Sequence, residues 1–308
     1  MKIYHSINEF SPVKNAVVTI GTFDGVHVGH QKIIARLRET AMATGGEVVL
    51  LTFFPHPRMV LFPDDNDLVL LNTLDEKINL LQKYGIQHLL VHPFSKEFSR
   101  TSSTEFVRDV LVNKIGTKKL VIGYDHHFGR NREGSFEDLQ ELSQLYGYEV
   151  EKIPEQDINE VAVSSTKIRK ALLSGDIDTA TSFLGHEYSL GGIVVKGKQR
   201  GRTLGFPTAN IGVPEKYKLI PANGVYAVHA VHRQETYKGV LSIGNRPTFD
   251  NGDRSIEVNI FDFDKEIYGD QLRVFFRKYL RPDIRFNSAG ELTEQMNRDR
   301  EDAIKQLA

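Results

Sequence analysis

Gly21-Thr22-Phe23-Asp24-Gly25-Val26-His27-Val28-Gly29-His30 decides how this chain is read. Ahead of it, Ala16-Val17-Val18-Thr19-Ile20 is an apolar run of strand length. Behind it, Lys32-Ile33-Ile34-Ala35-Arg36-Leu37-Arg38-Glu39 carries apolar residues at helical spacing. The stretch is therefore a buried strand, a glycine-rich turn and the opening of a helix. Glycines let a backbone approach a ligand closely, and a helix N-terminus presents N–H groups to an anion. His27 and His30 add ring donors at the same place, and a histidine can serve phosphate oxygens from either ring nitrogen. A glycine-rich turn alone would be ordinary. Two histidines flanking Gly29 in the helix-opening position predict a phosphate site.

Working outward, residues 48–53, 88–91, 119–122 and 148–153 read as further strands. Residues 75–84, 103–113 and 136–146 read as helices, with Thr104 as a cap for the second. Strands alternating with helices predict an α/β domain with a parallel, doubly wound sheet, whose ligands sit beyond the carboxyl ends of the strands. Three stretches there carry unusual residues. Phe53-Phe54-Pro55-His56-Pro57 and the residues to Pro63 read as a stiff extended loop, rich in rings and able to wall a flat heterocycle. Gly123-Tyr124-Asp125-His126-His127-Phe128-Gly129-Arg130 follows a strand. Its adjacent histidines point apart and have no third partner, which argues against a metal. Ser164-Ser165-Thr166-Lys167-Ile168-Arg169 reads as a capped helix start bearing two cations, a second anion site, although capping alone would account for an isolated Ser-Ser-Thr.

A short helix over 175–185 ends this pattern. Short strand-like runs follow at 193–195, 224–231, 237–243, 255–261 and 271–276, and helix returns only from residue 289. They predict a small antiparallel β-barrel closed by a C-terminal helix, with domains at 1–185 and 186–308. The stretch from Gly197 through Gly201 and Gly205 to Asn210 is glycine-spaced and basic. It lacks Gly-Lys-Ser/Thr, so it is not a Walker A loop.

Composition narrows the partners. The 308 residues carry 39 Lys plus Arg against 40 Asp plus Glu, so no global field favours nucleic acid or an anionic membrane. No cysteine is present, which excludes disulfides and thiol chemistry. No apolar run suggests a signal peptide or a membrane span, and the expectation is a cytoplasmic protein.

His27-Val28-Gly29-His30 resembles the signature of the nucleotidylyltransferase superfamily. The full string from Gly21 to His30 is similar to that of bacterial bifunctional riboflavin kinase/FAD synthetases. Three later strings also resemble that family: Ser164-Ser165-Thr166 with Ile168-Arg169, Gly201-Arg202-Thr203-Leu204-Gly205-Phe206-Pro207-Thr208-Ala209-Asn210, and Gly244-Asn245-Arg246-Pro247-Thr248-Phe249. The resemblance spans nearly the whole chain. It implies a Rossmann-like N-terminal domain that transfers AMP from ATP to FMN, giving FAD and pyrophosphate. It also implies a C-terminal barrel that phosphorylates riboflavin with ATP.

For the first reaction, the resemblance implies that His27 and His30 are catalytic. Gly21, Thr22, Phe23, Asp24, Gly29, Ser164, Ser165, Thr166 and Arg169 would meet ATP, and His56, Pro57, Phe62, Asp125 and Phe128 the flavin. For the second, it implies ATP contacts at Gly197, Gly201, Gly205, Phe206, Pro207, Thr208 and Asn210. Mg2+ would sit on Thr208 and Asn210, flavin near Arg246, and Glu257 would act as catalytic base. Two positions depart from the family pattern: Phe54 stands where Glu is frequent, and Asn259 where His is expected. Two other classes stay open: a nucleotidylyltransferase for another acceptor with a non-catalytic barrel, and a barrel that binds nucleic acid.

Overall fold

Ala16–Ile20 (β2) is buried along its whole length, as its unbroken apolar character requires of a central parallel strand. In the computed structural model, which describes residues 1–64, 68–124, 127–154, 163–197, 205–245 and 254–308, the chain packs as two units, Met1–Ser165 and Thr166–Ala308.

The first unit is a six-stranded parallel sheet. Its strands are β1 (Lys2–Tyr4), β2, β3 (Val48–Phe54), β4 (His88–Pro93), β5 (Thr117–Ile122) and β6 (Glu149–Lys152), in the order β1-β4-β3-β2-β5-β6. Successive residues point to opposite faces, so Val18, Ile20, Val49 and Leu51 enter one core. Val17, Val48 and Leu50 enter the other, with Ile34 and Leu37 of α1 (Val28–Thr44). From β2 the chain moves outward through β3 to β4, then returns to the other side of β2 as β5. The turn after β2 thus leaves the sheet where the strand order reverses, the place where open α/β sheets bind ligands.

Two local expectations change. The ring-rich loop after β3 is not extended throughout, because Pro57–Leu61 forms one turn of helix (α2). Pro57 suits its first turn, where an N–H would go unused, and His56 Nδ1 accepts from the Arg58 N–H at 3.2 Å. Thr104 is not a cap. Ser102 caps α4 (Ser103–Glu105) in a reciprocal box with Glu105, and the helix continues as a wider π-type run, Phe106–Ile115, stopped by Gly116 at φ +72°. Helices α3 (Leu74–Lys83) and α5 (Phe136–Tyr146) open on similar boxes, Thr73 with Glu76 and Ser135 with Asp138.

Helix α6 (Ser165–Leu173) begins at the last residue of the first unit, and its remainder packs in the second with α7 (Ile177–Leu184). There the Ala222 N–H donates to Leu172 O at 3.0 Å, and Asp178 pairs with Lys278. Strands β7 (Ser189–Val195), β8 (Ala209–Gly212), β9 (Gly224–His232), β10 (Glu235–Asn245), β11 (Arg254–Ile260) and β12 (Gln271–Arg281) close an antiparallel barrel. Helix α8 (Ala289–Gln306) is held on it by the Asp299 carboxylate, which accepts two bonds from Arg281 at 2.8 and 2.7 Å.

Candidate active sites

The turn after β2 is strained and tied down. Phe23 and Val26 sit at φ +48° and +41°, a region that costs a non-glycine residue about 1–3 kcal/mol and is least suited to a β-branched one. The Asp24 carboxylate, almost wholly buried, turns inward and accepts from the Leu71 N–H at 3.0 and 3.1 Å and the Asn72 N–H at 3.3 Å. Thr22 O accepts from Lys77 Nζ at 2.8 Å and Thr52 Oγ1 at 3.3 Å. Asp24 O accepts from Ser165 Oγ at 2.9 Å. A Cβ at Gly21 would lie 3.0 Å from the Phe23 ring, which folds back into the core, so a side chain there would press on that ring. Phe23 therefore supports the turn from beneath, 4.7 Å from the His30 ring.

His27 caps α1, and its Nδ1 accepts from the His30 N–H at 3.4 Å. An accepting Nδ1 in a neutral ring leaves the proton on Nε2, so His27 presents an Nε2–H donor. The two rings stack 3.7 Å apart at 17°. His30 Nδ1 is buried without a hydrogen-bond partner among the described residues. Burial, then the His27 ring, then the Lys77 ammonium hold His30 well below the usual histidine range. The pair is thus a donor site in which the His30 ring favours its neutral form, at the N-terminus of a 17-residue helix.

Rings line the ends of β3 and β4 and continue into the wide helix. Phe53 lies 5.6 Å from Phe94 and from Phe98, His92 is 4.8 Å from Phe98, and Phe98, Phe106 and Phe128 follow at 6.2 and 6.0 Å. Phe128 is buried, and a Cβ at Gly134 would come within 2.6 Å of its ring. Phe62 stays open, at 57% exposure just past α2, with Pro57 and the capping His56 at the start of that turn. Asp125 lies outside the described residues. Ser164 and Ser165 stand at the start of α6, and Ser165 reaches the histidine turn through Asp24 O. Thr166 and Arg169 lie on α6 in the second unit.

In the barrel, Glu257 on β11 faces Asn210 on β8 across the antiparallel ladder, so their side chains share a face. Thr208 Oγ1 donates to Glu257 Oε2 at 3.3 Å. Asn210 is buried against Gly197, where a Cβ would lie 2.2 Å from its Nδ2. A cavity of about 500 Å³ opens on the other side of this ladder, lined by Pro207, Thr208, Val258, Ile260, Phe263 and Tyr268 among others. Thr208 is common to the cavity and to the Glu257 contact. Phe206 is buried and Gly205 takes φ +83°, while Gly201 and Arg246 lie outside the described residues.

Two contributors carry no local sequence signal, and a third stands out only as a departure from the family pattern. Lys77 and Thr52 look like ordinary helix and strand residues until tertiary packing brings both to Thr22 O. Asn259, where the family pattern has His, donates from Nδ2 to Pro207 O at 2.7 Å and so holds the strand entrance that carries Thr208.

Comparison with known proteins covers both units. The family model for FAD synthetase matches residues 10–167, and that for riboflavin kinase matches 184–307. The chain is 38% identical to the bifunctional riboflavin kinase/FMN adenylyltransferase of Bacillus subtilis (strain 168), over 99% of this chain and 98% of that one. It is 36% identical to the protein of the same name in Escherichia coli (strain K12), over 97% and 96%. A crystal structure titled macrolide-efflux protein from Streptococcus pneumoniae has the same fold, with TM-score 0.89 and 31% identity over 97% of each chain. No helix among the described residues is long and apolar enough to cross a membrane. Two family matches, one on each fold, and near-complete coverage of full-length relatives show that this chain belongs to the bifunctional riboflavin kinase/FMN adenylyltransferases.

Proposed function

We propose that the barrel converts riboflavin to FMN and that the parallel-sheet unit converts FMN to FAD, with the residues described above in the following roles. In the first unit the FMN phosphate attacks the α-phosphorus of ATP and pyrophosphate leaves. His27 and His30 donate to the phosphate oxygens as charge builds there, with the Gly21–Gly29 backbone and the Ser164 and Ser165 helix start alongside. The observation that carries this is the stacked pair at a helix N-terminus, one ring with a buried nitrogen that has no partner among the described residues. The resemblance assigns the same ATP to Thr166 and Arg169. Phe62, Pro57 and His56 are proposed to meet the flavin, while Asp24 and Phe23 shape the turn.

In the barrel the riboflavin hydroxyl attacks the γ-phosphorus and ADP leaves. Glu257 takes the hydroxyl proton. The Gly197–Pro207 segment wraps ATP, and the adjoining cavity suits part of a bound substrate. Among the described residues no group of three or more His, Asp or Glu could cage an ion. Thr208 and Asn210 are instead oxygen donors beside a carboxylate, a set that suits Mg2+ shared with ATP phosphates. When bound, Mg2+ neutralises charge on the transferred phosphoryl group.

Net charge of −1 and the absence of cysteine favour small-molecule partners in the cytoplasm over nucleic acid or a membrane. The test is one incubation of pure protein with riboflavin, ATP and Mg2+, followed by chromatography. FMN should appear first and FAD after it, and the His27→Ala protein should stop at FMN. FAD formed at the parent rate by that variant would remove the histidine assignment.

A further inference from the structure

Lysine is almost never fully buried unless paired, yet Lys77 on α3 is only 3% exposed. Its hydrogen bond to the described residues goes to Thr22 O at 2.8 Å, an oxygen that Thr52 Oγ1 also reaches. The 22–23 peptide is planar and trans, so a carbonyl held toward α3 turns the Phe23 N–H the opposite way. Asp24, two residues on, sends its carboxylate back to the backbone just ahead of α3, at Leu71 and Asn72. The turn thus gives an anion to the approach of α3, and α3 returns a cation to the turn. Between these ties stands Phe23, with Val26 just beyond, both in the left-handed region. The ammonium is also close enough to bear on the His30 ring. A buried charge pair is a weak stabiliser compared with packed apolar groups, so its use here calls for another account.

We propose that Lys77 is a positioning residue for adenylyl transfer. Its ammonium fixes the Thr22 carbonyl, balances Asp24 and holds the strained turn in the form that receives ATP phosphates. This rests on the reading of the His27–His30 turn as the ATP phosphate site. The role differs from that of the histidines, because Lys77 acts through the backbone and through its charge from beneath the turn.

The test uses the full-length protein, with FMN supplied directly and ATP varied, so that only the first unit is read. Lys77→Met should lower kcat/KM for ATP by about 10–100-fold, below the roughly 10²–10³ that a lost direct donor costs, because Lys77 acts through the backbone. KM for FMN should stay within about threefold, riboflavin phosphorylation should be unchanged, and Lys77→Arg should restore at least half of the loss on a logarithmic scale. His27→Ala runs beside them. If His27→Ala is crippled and Lys77→Met matches the parent, the Lys77 proposal is wrong and the turn reading stands. If Lys77→Met and Lys77→Arg lose ATP and FMN affinity alike, with a lowered melting temperature, Lys77 is only a core residue and the proposal is overturned. If His27→Ala also retains full adenylyl transfer, the turn reading itself has failed and takes the proposal with it.

Discussion

Replacing Glu257 by Gln separates chemistry from architecture in the barrel. The side chain is half-buried and, among the described residues, accepts a hydrogen bond from Thr208 Oγ1 at 3.3 Å. Gln keeps the length of Glu and a carbonyl oxygen that still accepts this bond. A typical net hydrogen bond is worth about 0.5–1.5 kcal/mol, so the folding cost should fall at or below that range. Proton removal from the riboflavin hydroxyl is another matter, because an amide is not a useful base. Loss of a general base costs about 10²–10⁴ in rate, or roughly 3–5 kcal/mol in the barrier. The kinetic loss should therefore exceed the stability loss severalfold. Both activities are measured on one preparation at fixed Mg2+, with FMN production followed from riboflavin and FAD production from added FMN. The expected result is near-complete loss of the first and retention of the second. FMN formed within about threefold of the parent rate would refute the assignment of Glu257 as base. Equal loss of both activities, with a lowered melting temperature, would show that the structural estimate is wrong.

Three further outcomes follow from the same geometry. A fragment starting at Thr166 should phosphorylate riboflavin and melt well above one starting at Gly185, because Leu172, Ile177, Ala180 and Leu184 are all nearly inaccessible and each large side chain is worth about 1.5–3 kcal/mol of burial; equal melting temperatures would remove α6 and α7 from the barrel's fold. Gly197→Ala should impair the kinase alone, since the new methyl would sit 2.2 Å from Asn210 Nδ2 and displace it, at a cost of about 1–3 kcal/mol; an unchanged KM for ATP would argue against a role for Asn210. In the first unit, His30 resists protonation when folded and takes a proton near pH 6.5 when unfolded, so it lowers stability as pH falls below about 6.5 and has no such effect above it. His30→Asn should flatten that acid slope by up to about 1.4 kcal/mol per pH unit, and an unaltered slope between pH 6.5 and 5.5 would contradict the buried, uncharged ring.

Local pattern was enough for much of this protein. The five-residue run at β2, the helical spacing after His30 and the change to short alternating runs beyond residue 188 follow from which side chains must leave water, and that is written in periodicity. The glycine and histidine strings were legible for a similar reason, because backbone approach and phosphate donation demand particular residue types at short spacing. Strands β1 and β8 were not legible. Each has only three or four residues, and pairing partners far along the chain make them strands. The same holds for the inward turn of Asp24 to Leu71, 47 residues away, for Lys77 beneath Thr22, and for the burial of Phe23 and Phe128 that a motif reading turns toward ligand. The sequence by itself determined two phosphate sites and the fold on which each rests, and its resemblance to a known family supplied the two chemistries. Only the tertiary structure decided which motif residues are buried and which hold the turn, because a buried charge or ring is satisfied by neighbours that no local window contains.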